Sequence, residues 1–392
     1  MNFGWIDFSQ NERNKILEIL DNLTKPGTLD ELGIGYIRDK FSNIFFPGTS
    51  TLQSRAKYFL VVPYIIKDVL DEYKRNMDIK KILDNLNKAE EDFARKVLKN
   101  KHGDNESLIG KNALQQDKWV QKQPSYIYWS GIKSYRIIDT DLSLYNYIQD
   151  ILNDKTHNSF SYDKKEDKDI DDDKEFSKNY TIKPYFENWH KKDNIDLSLT
   201  REEAEYLKTQ IIQSHETSLM AYILMNKKRM KSFKEVETFD AFTDDLIPEH
   251  LKKQYAYAKK FSNFVYVLWV IYNLAITDNG NTHAAVKYGI LENELPEIAS
   301  INLGEMYKLL EVDESDSLCY FLNKAKEYMQ VKNIKELKKI ICMREIALKQ
   351  DRAKCKNKDK NNPEQWYGGE KLNYRFYTAR MIIKDIYNGL EK

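Results

Sequence analysis

From residue 200 to the end, apolar residues recur at helical spacing with little interruption, and few folds other than a helical one can accommodate that pattern. Residues 202–213, 218–225, 250–276, 303–310, 317–329 and 334–353 each read as a helix. The first of them carries its own start signal, Thr200 followed three positions on by Glu203. Strand–helix alternation and a GxGxxG turn are absent from the sequence, which argues against a dinucleotide-binding fold. With only 14 Gly and 8 Pro in 392 residues, little punctuation breaks the helices. The expected fold class is mainly α and multi-helical.

The N-terminal part carries more turn chemistry. Ser9 and Glu12 form a capping box ahead of an amphipathic helix over 12–23, with Ile16, Leu17, Ile19, Leu20 and Leu23 on one side. Helices are expected over 34–46 and from about 51 towards 75, with Pro63 bending or breaking the latter. Three helices joined by tight turns suit a helix-turn-helix unit or an ordinary small bundle. Pro47-Gly48 makes a turn, Thr49, Ser50 or Thr51 would cap the next helix, and Gln53, Arg55 and Lys57 follow. That arrangement fits a phosphate held at a helix N-terminus, and equally a well-capped helix. Residues 124–138, an aromatic helix ending at a turn and a strand-like edge, suit a winged helix or a helix buried in the core.

Acidic residues crowd 155–178, with too few apolar side chains to offset the entropy of ordering. This divides the chain into an N-terminal helical domain over 1–154, winged-helix-like in one reading, an acidic flexible loop over 155–178, and a C-terminal helical domain over 179–392. The last includes a basic segment over 324–360. Formal net charge is +1, so any nucleic-acid surface must be local. Within the basic segment Arg344, Glu345, Lys349 and Arg352 fall at helical spacings, and Glu345 to Lys349 reads as an i,i+4 ion pair. Trp366-Tyr367-Gly368-Gly369 and an aromatic, cationic helix from Tyr374 through Arg375 and Arg380 follow. Cations interleaved with aromatics suit a nucleic-acid groove, and a solvated basic face explains them equally well.

Motifs for known chemistry are missing from the sequence: GxxxxGK[ST], HExxH, GxSxG and the HxK…D pattern of phospholipase D-type nucleases. The six histidines share no motif, and Asp244-Asp245 is a weak magnesium candidate. Cys319, Cys342 and Cys355 are too few for a disulfide scaffold and form no CxxC. No catalytic residue, metal or cofactor is expected. The first residues have neither a basic nor an apolar signal region, and the apolar run 261–276 is interrupted by Ser262, Asn263 and Asn273. A cytoplasmic protein without a membrane partner is the expectation.

Phe3-Gly4-Trp5-Ile6-Asp7-Phe8-Ser9, Leu32-Gly33-Ile34-Gly35 with Ile37-Arg38-Asp39, and Phe46-Pro47-Gly48-Thr49-Ser50-Thr51 with 55–60 resemble the opening of an uncharacterised bacterial family. Arg344-Glu345, Leu348-Lys349, Arg352-Ala353, Trp366-Tyr367-Gly368-Gly369 and Tyr374-Arg375-Phe376 to Gly389-Leu390 resemble its ending. The family carries a domain-of-unknown-function label, and its genes sit beside helicases and phospholipase D-like nucleases in phage-defence islands. That gene context is an association and supplies no mechanism; read together with the cationic and aromatic motifs, it gives the expectation of a non-catalytic DNA-binding or scaffold subunit of an antiphage complex, with a helicase or nuclease partner. Its phosphate contacts would be Arg38, Arg55, Lys57, Arg344, Lys349, Arg352, Arg375 and Arg380, and its stacking surfaces Trp129, Trp366 and Tyr374. The alternative is an enzyme on nucleic acid, a metal-dependent nuclease or a glycosylase, with Asp7 and Asp39 gathered near Arg38 and Arg55.

Overall fold

The computed structural model describes residues 30–72, 78–161, 189 and 195–392, and no strand occurs among them. The capping box at Ser9, the helix over 12–23 and Asp7 lie outside the described residues, as does the acidic run from 162 to 178. In chain order the α-helices are α1 (Gly35–Phe45), α2 (Tyr58–Asp71), α3 (Ile79–Lys99), α4 (Lys111–Leu114), α5 (Pro124–Ser134) and α6 (Leu144–Ser161). There follow α7 (Arg201–Ser214), α8 (Leu219–Leu224), α9 (Lys227–Glu235), α10 (Lys252–Ile276) and α11 (Thr282–Leu291). The last are α12 (Leu295–Ile298), α13 (Leu303–Leu309), α14 (Ser317–Gln330), α15 (Ile334–Lys349) and α16 (Phe376–Leu390). The protein is mainly α, as the periodicity predicts.

Contacts separate two compact units, each built from non-consecutive stretches. Of the described residues, 30–41 and 252–372 form the first, and those within 42–251 together with 373–392 form the second. A border at 155–178 would fall inside the second unit.

In the first unit α10 is the central helix, packed against α11 and α15, with α14 against α15. Beyond Phe261 nearly every side of it is buried, as a helix apolar all round requires. Two of the three polar residues that interrupt its apolar run, Ser262 and Asn273, have structural tasks. Ser262 Oγ donates to the Leu372 carbonyl and accepts from the Leu372 N–H. Asn273 Nδ2 donates to the Tyr367 carbonyl, and its Oδ1 accepts from the Tyr367 N–H. Both side chains are fully buried, and each is satisfied by the main chain of the segment that follows α15.

In the second unit α2 is the buried element, packed against α3 and α5. Tyr58 and Phe59 lie 5.2 and 4.9 Å, centroid to centroid, from the Tyr128 ring on α5. The helix starts at Tyr58 rather than near 51, with Lys57 at its N-cap and no side-chain cap, and it runs on through Pro63. Residues 50–57 are loop and turn instead: Thr49 Oγ1 donates to the Phe46 carbonyl and the Ser50 N–H donates to Gln53 Oε1. The expectation of Thr49, Ser50 or Thr51 capping a helix with Arg55 and Lys57 in its first turns is therefore corrected. α5 carries buried Ile127, Tyr128, Trp129 and Ile132, and turn rather than strand follows it, so it belongs to the core. The strand-like edge of a winged helix is absent after α5 among the described residues. At α7 the capping box is complete: Thr200 Oγ1 accepts from the Glu203 N–H at 3.2 Å, and Glu203 accepts from the Thr200 N–H at 2.9 Å. α16 packs on α7 and α9.

Candidate functional site

A cleft of about 710 Å³ opens in the first unit where the Leu32–Asp39 motif meets the Arg344–Lys349 motif and the Gly368-Gly369 turn. Three segments far apart in sequence build it. At the first, the Asp30 carboxylate accepts the N–H groups of Leu32, Ile34 and Gly35 at 3.1, 2.9 and 2.7 Å and so caps the start of α1. Gly33 follows in the left-handed region at φ +69°, and a Cβ there would stand 2.9 Å from Arg344 Nη2. Only glycine lets the guanidinium approach this closely.

The second segment is the last turn and a half of α15. Arg344 Nε donates to the Leu32 carbonyl at 3.0 Å and Nη1 to Ser317 Oγ at 3.1 Å. Lys349 Nζ pairs with Glu31 at 2.9 Å, and Lys354 Nζ lies 3.7 Å from the same carboxylate. Burial pushes the Glu31 carboxyl up, but the hydrogen bond from Lys349 and the two lysine charges outweigh it and hold the group below its ordinary value. Burial also pushes Arg344 below the usual arginine range, against the pull of Asp316 and Asp30. The expected Glu345–Lys349 pair does not form. Glu345 is fully buried, accepting from Tyr272 Oη at 2.7 Å and from the Lys354 and Cys355 N–H groups at 3.0 and 2.9 Å. Beside it a disulfide joins Cys342 to Cys355, whose Cα atoms are 5.4 Å apart. Cys319 is free and buried.

The third segment is Trp366-Tyr367-Gly368-Gly369, clamped to α10 through Tyr367 as described above. Trp366 Nε1 donates to the Gly369 carbonyl at 3.1 Å and folds the turn back. Gly368, at φ +80°, lies on the Trp269 indole so closely that a Cβ would stand 2.4 Å from the ring. Arg38 completes the cleft on its open side, with Nε 3.2 Å from Asp39 Oδ1 and a side chain 41% exposed.

The remaining predicted residues are distributed otherwise. Arg352 is exposed in a short 3-10 turn after α15 and is not among the cleft-lining residues. Trp366 is half-buried, with Lys287 Nζ 4.4 Å from its ring centroid. In the second unit, Arg55, Trp129 and Tyr374 are core rather than surface. Arg55 is 4% exposed: Nε and Nη2 bind Asp385 at 2.9 Å, Nη2 binds Asp104 at 2.6 Å and Nη1 donates to the Glu106 carbonyl at 3.0 Å. Every guanidinium nitrogen is engaged, so none remains for a phosphate. Trp129 donates from Nε1 to the Leu142 carbonyl and packs on Tyr147, and Tyr374 is fully buried against Phe239. Neither leaves a face for a base. Lys57 Nζ pairs with Glu203 at 2.6 Å; Arg375 donates to Asn43 Oδ1 and the Thr49 carbonyl, and Arg380 to the Val236 carbonyl.

The motifs at the two ends thus meet twice, once within each unit. In the first they build the cleft, and in the second they build an ion-paired core. A second cleft, of about 410 Å³, is lined by Asp68, Asp71, Glu72 and Asp92 of the second unit and holds none of the predicted residues. Asp30, Asp316 and Trp269 line the first cleft without having been singled out in the sequence. Trp269 sits in an apolar run that reads as core throughout, so no local signal marks it. Among the described residues no group of three or more His, Cys, Asp or Glu is arranged to hold a metal ion, and no helix is long and apolar enough to cross a membrane.

No curated protein and no solved structure matches the chain. A family model does, over residues 1–288: it describes a family of unknown function, DUF6361.

Proposed function

We propose that this chain, which belongs to the DUF6361 family, is a non-catalytic nucleic-acid-binding subunit of a bacterial antiphage complex, working with a helicase or nuclease partner. The observation that carries the reading is the cleft of the first unit, where Arg38, Arg344 and Lys349 come together from motifs more than 300 positions apart. Arg352, exposed beyond the C-terminal end of α15, adds a cation that DNA phosphates can reach. The six predicted residues of the second unit fall outside the proposed interface because none of them lines this cleft.

The test has two arms. Tagged protein is co-purified with the products of its neighbouring genes at low and high salt, and retained nucleic acid is sequenced. In parallel, DNA affinity is measured against salt for the wild type and for Arg352→Ala. Electrostatic contact predicts affinity falling linearly with salt on logarithmic axes, and a slope shallower by about one in the variant. Binding that is absent for every DNA form, or insensitive to salt, overturns the DNA-binding reading. Recovery of the protein alone at both salts overturns the subunit reading.

A further inference from the structure

Arg344 is a half-buried cation without an ion-pair partner among the described residues. Its hydrogen bonds to the Leu32 carbonyl and Ser317 Oγ fix the guanidinium plane and leave Nη2 beside Gly33. The acids whose fields reach it are engaged elsewhere. Asp30 caps α1, and Asp316 Oδ1 accepts from the Leu318 N–H at 2.7 Å and caps α14. Buried and half-buried charges are ordinarily paired, so an arginine held in this way stands ready for an anion.

A second group lining the cleft makes the same demand. Trp269 is 3% exposed, and its indole Nε1 has no hydrogen-bond partner among the described residues. Orphaned buried donors of this kind are rare in folded proteins. Gly369 lies over this nitrogen, a Cβ there standing 2.9 Å from it, so engaging the N–H takes a shift of the glycine turn. Both unsatisfied groups are donors, and their complement is a group that only accepts. The cleft volume of about 710 Å³ is that of a small-molecule site, and Tyr36, 48% exposed, offers an aromatic surface in its lining.

We propose that the cleft is a receptor for a terminal phosphate monoester of nucleotide size, with Arg344 and Trp269 as its donors and Tyr36 as the surface for the attached base. The proposal rests on the reading of this cleft as the nucleic-acid surface and narrows it. The phosphate belongs either to a free nucleotide or to the 5′ end of a strand, since both present the same group.

Full-length protein is titrated with 2′-deoxyadenosine 5′-monophosphate, with a single-stranded oligonucleotide bearing a 5′-phosphate, and with the same oligonucleotide bearing a 5′-hydroxyl. Arg344→Lys keeps the charge and loses the planar fork; Trp269→Phe keeps an aromatic side chain and removes the N–H together with the five-membered ring that carries it. Each variant should weaken binding of the phosphorylated probes about tenfold, at a melting temperature that shows the protein folded. Preference for the 5′-phosphorylated strand supports the strand end as the source, and mononucleotide binding without strand binding supports the free nucleotide. In that second case the phosphate receptor stands and the cleft is not a site for strand ends. Equal binding of both strands with no mononucleotide binding overturns the receptor and leaves the nucleic-acid reading intact. Affinity unchanged in both variants also overturns the receptor, as does no binding of any probe.

Discussion

Arg55 and Asp385 are 330 positions apart, and both are nearly excluded from solvent. Burial pulls the Arg55 pKa down, but the hydrogen bonds and charges of Asp104 and Asp385 outweigh it and hold the guanidinium charged. Removing one member of a buried pair strands the other, so Arg55→Ala should cost roughly 3–5 kcal/mol. Urea denaturation measures it; an Arg55→Ala protein of wild-type stability would instead mark Arg55 as dispensable for folding. Glu90, 1% exposed, is a second ionisable residue buried in this unit. Burial pushes its carboxyl up to about 8, although the Ser125 N–H and Oγ both donate to it and pull the other way. Its pKa is raised on folding, so the stability it contributes is present below the ordinary value of 4.5 and is lost as pH rises towards about 8. Denaturation midpoints should therefore fall over that interval in the wild type relative to Glu90→Gln. Parallel pH profiles for the two proteins would show that Glu90 does not titrate there.

Elements are where local sequence was most informative. The capping box at Thr200 is visible as a four-residue pattern, and the structure contains both of its hydrogen bonds. Thr200→Ala should cost about 1 kcal/mol, read from the shift in urea midpoint at constant slope. A shift below a few tenths would mean that the Lys57–Glu203 pair, at 2.6 Å, positions the start of α7 by itself. The helices over 202–213, 303–310 and 317–329 emerge within a residue or two of their periodic patterns, because an amphipathic stripe depends only on spacing. The helix expected from 51 failed for a different reason. Residues 50–57 are tied by contacts from far along the chain, Thr378 Oγ1 donating to the Ser50 carbonyl and Asp385 accepting from the Ala56 N–H. Local capping chemistry yielded to those distant hydrogen bonds.

At the scale of the molecule, each unit is assembled from two stretches far apart in the chain. α16 contributes Phe376, Ala379, Ile382, Ile383 and Ile386, all fully buried, to a unit that begins at residue 42. Burying each large apolar side chain is worth about 1.5–3 kcal/mol, and a domain's whole stability is about 5–15 kcal/mol. Deleting 373–392 should therefore abolish cooperative unfolding of the second unit, visible as lost helical signal and rapid proteolysis within 42–251. A truncated protein that melts like the wild type would refute that dependence. The amino-acid order alone determined the helical class, most helix positions and the glycine and aromatic motifs at both ends, because those follow from periodicity and from the φ that only glycine adopts. It did not distinguish Arg344, set in an open cleft, from Arg55, enclosed in the core. Those two arginines differ in their counter-charges and burial, and both are supplied by residues remote in sequence. Tertiary structure decided that difference, since a carboxylate 330 positions away neutralises an arginine only once the chain has folded.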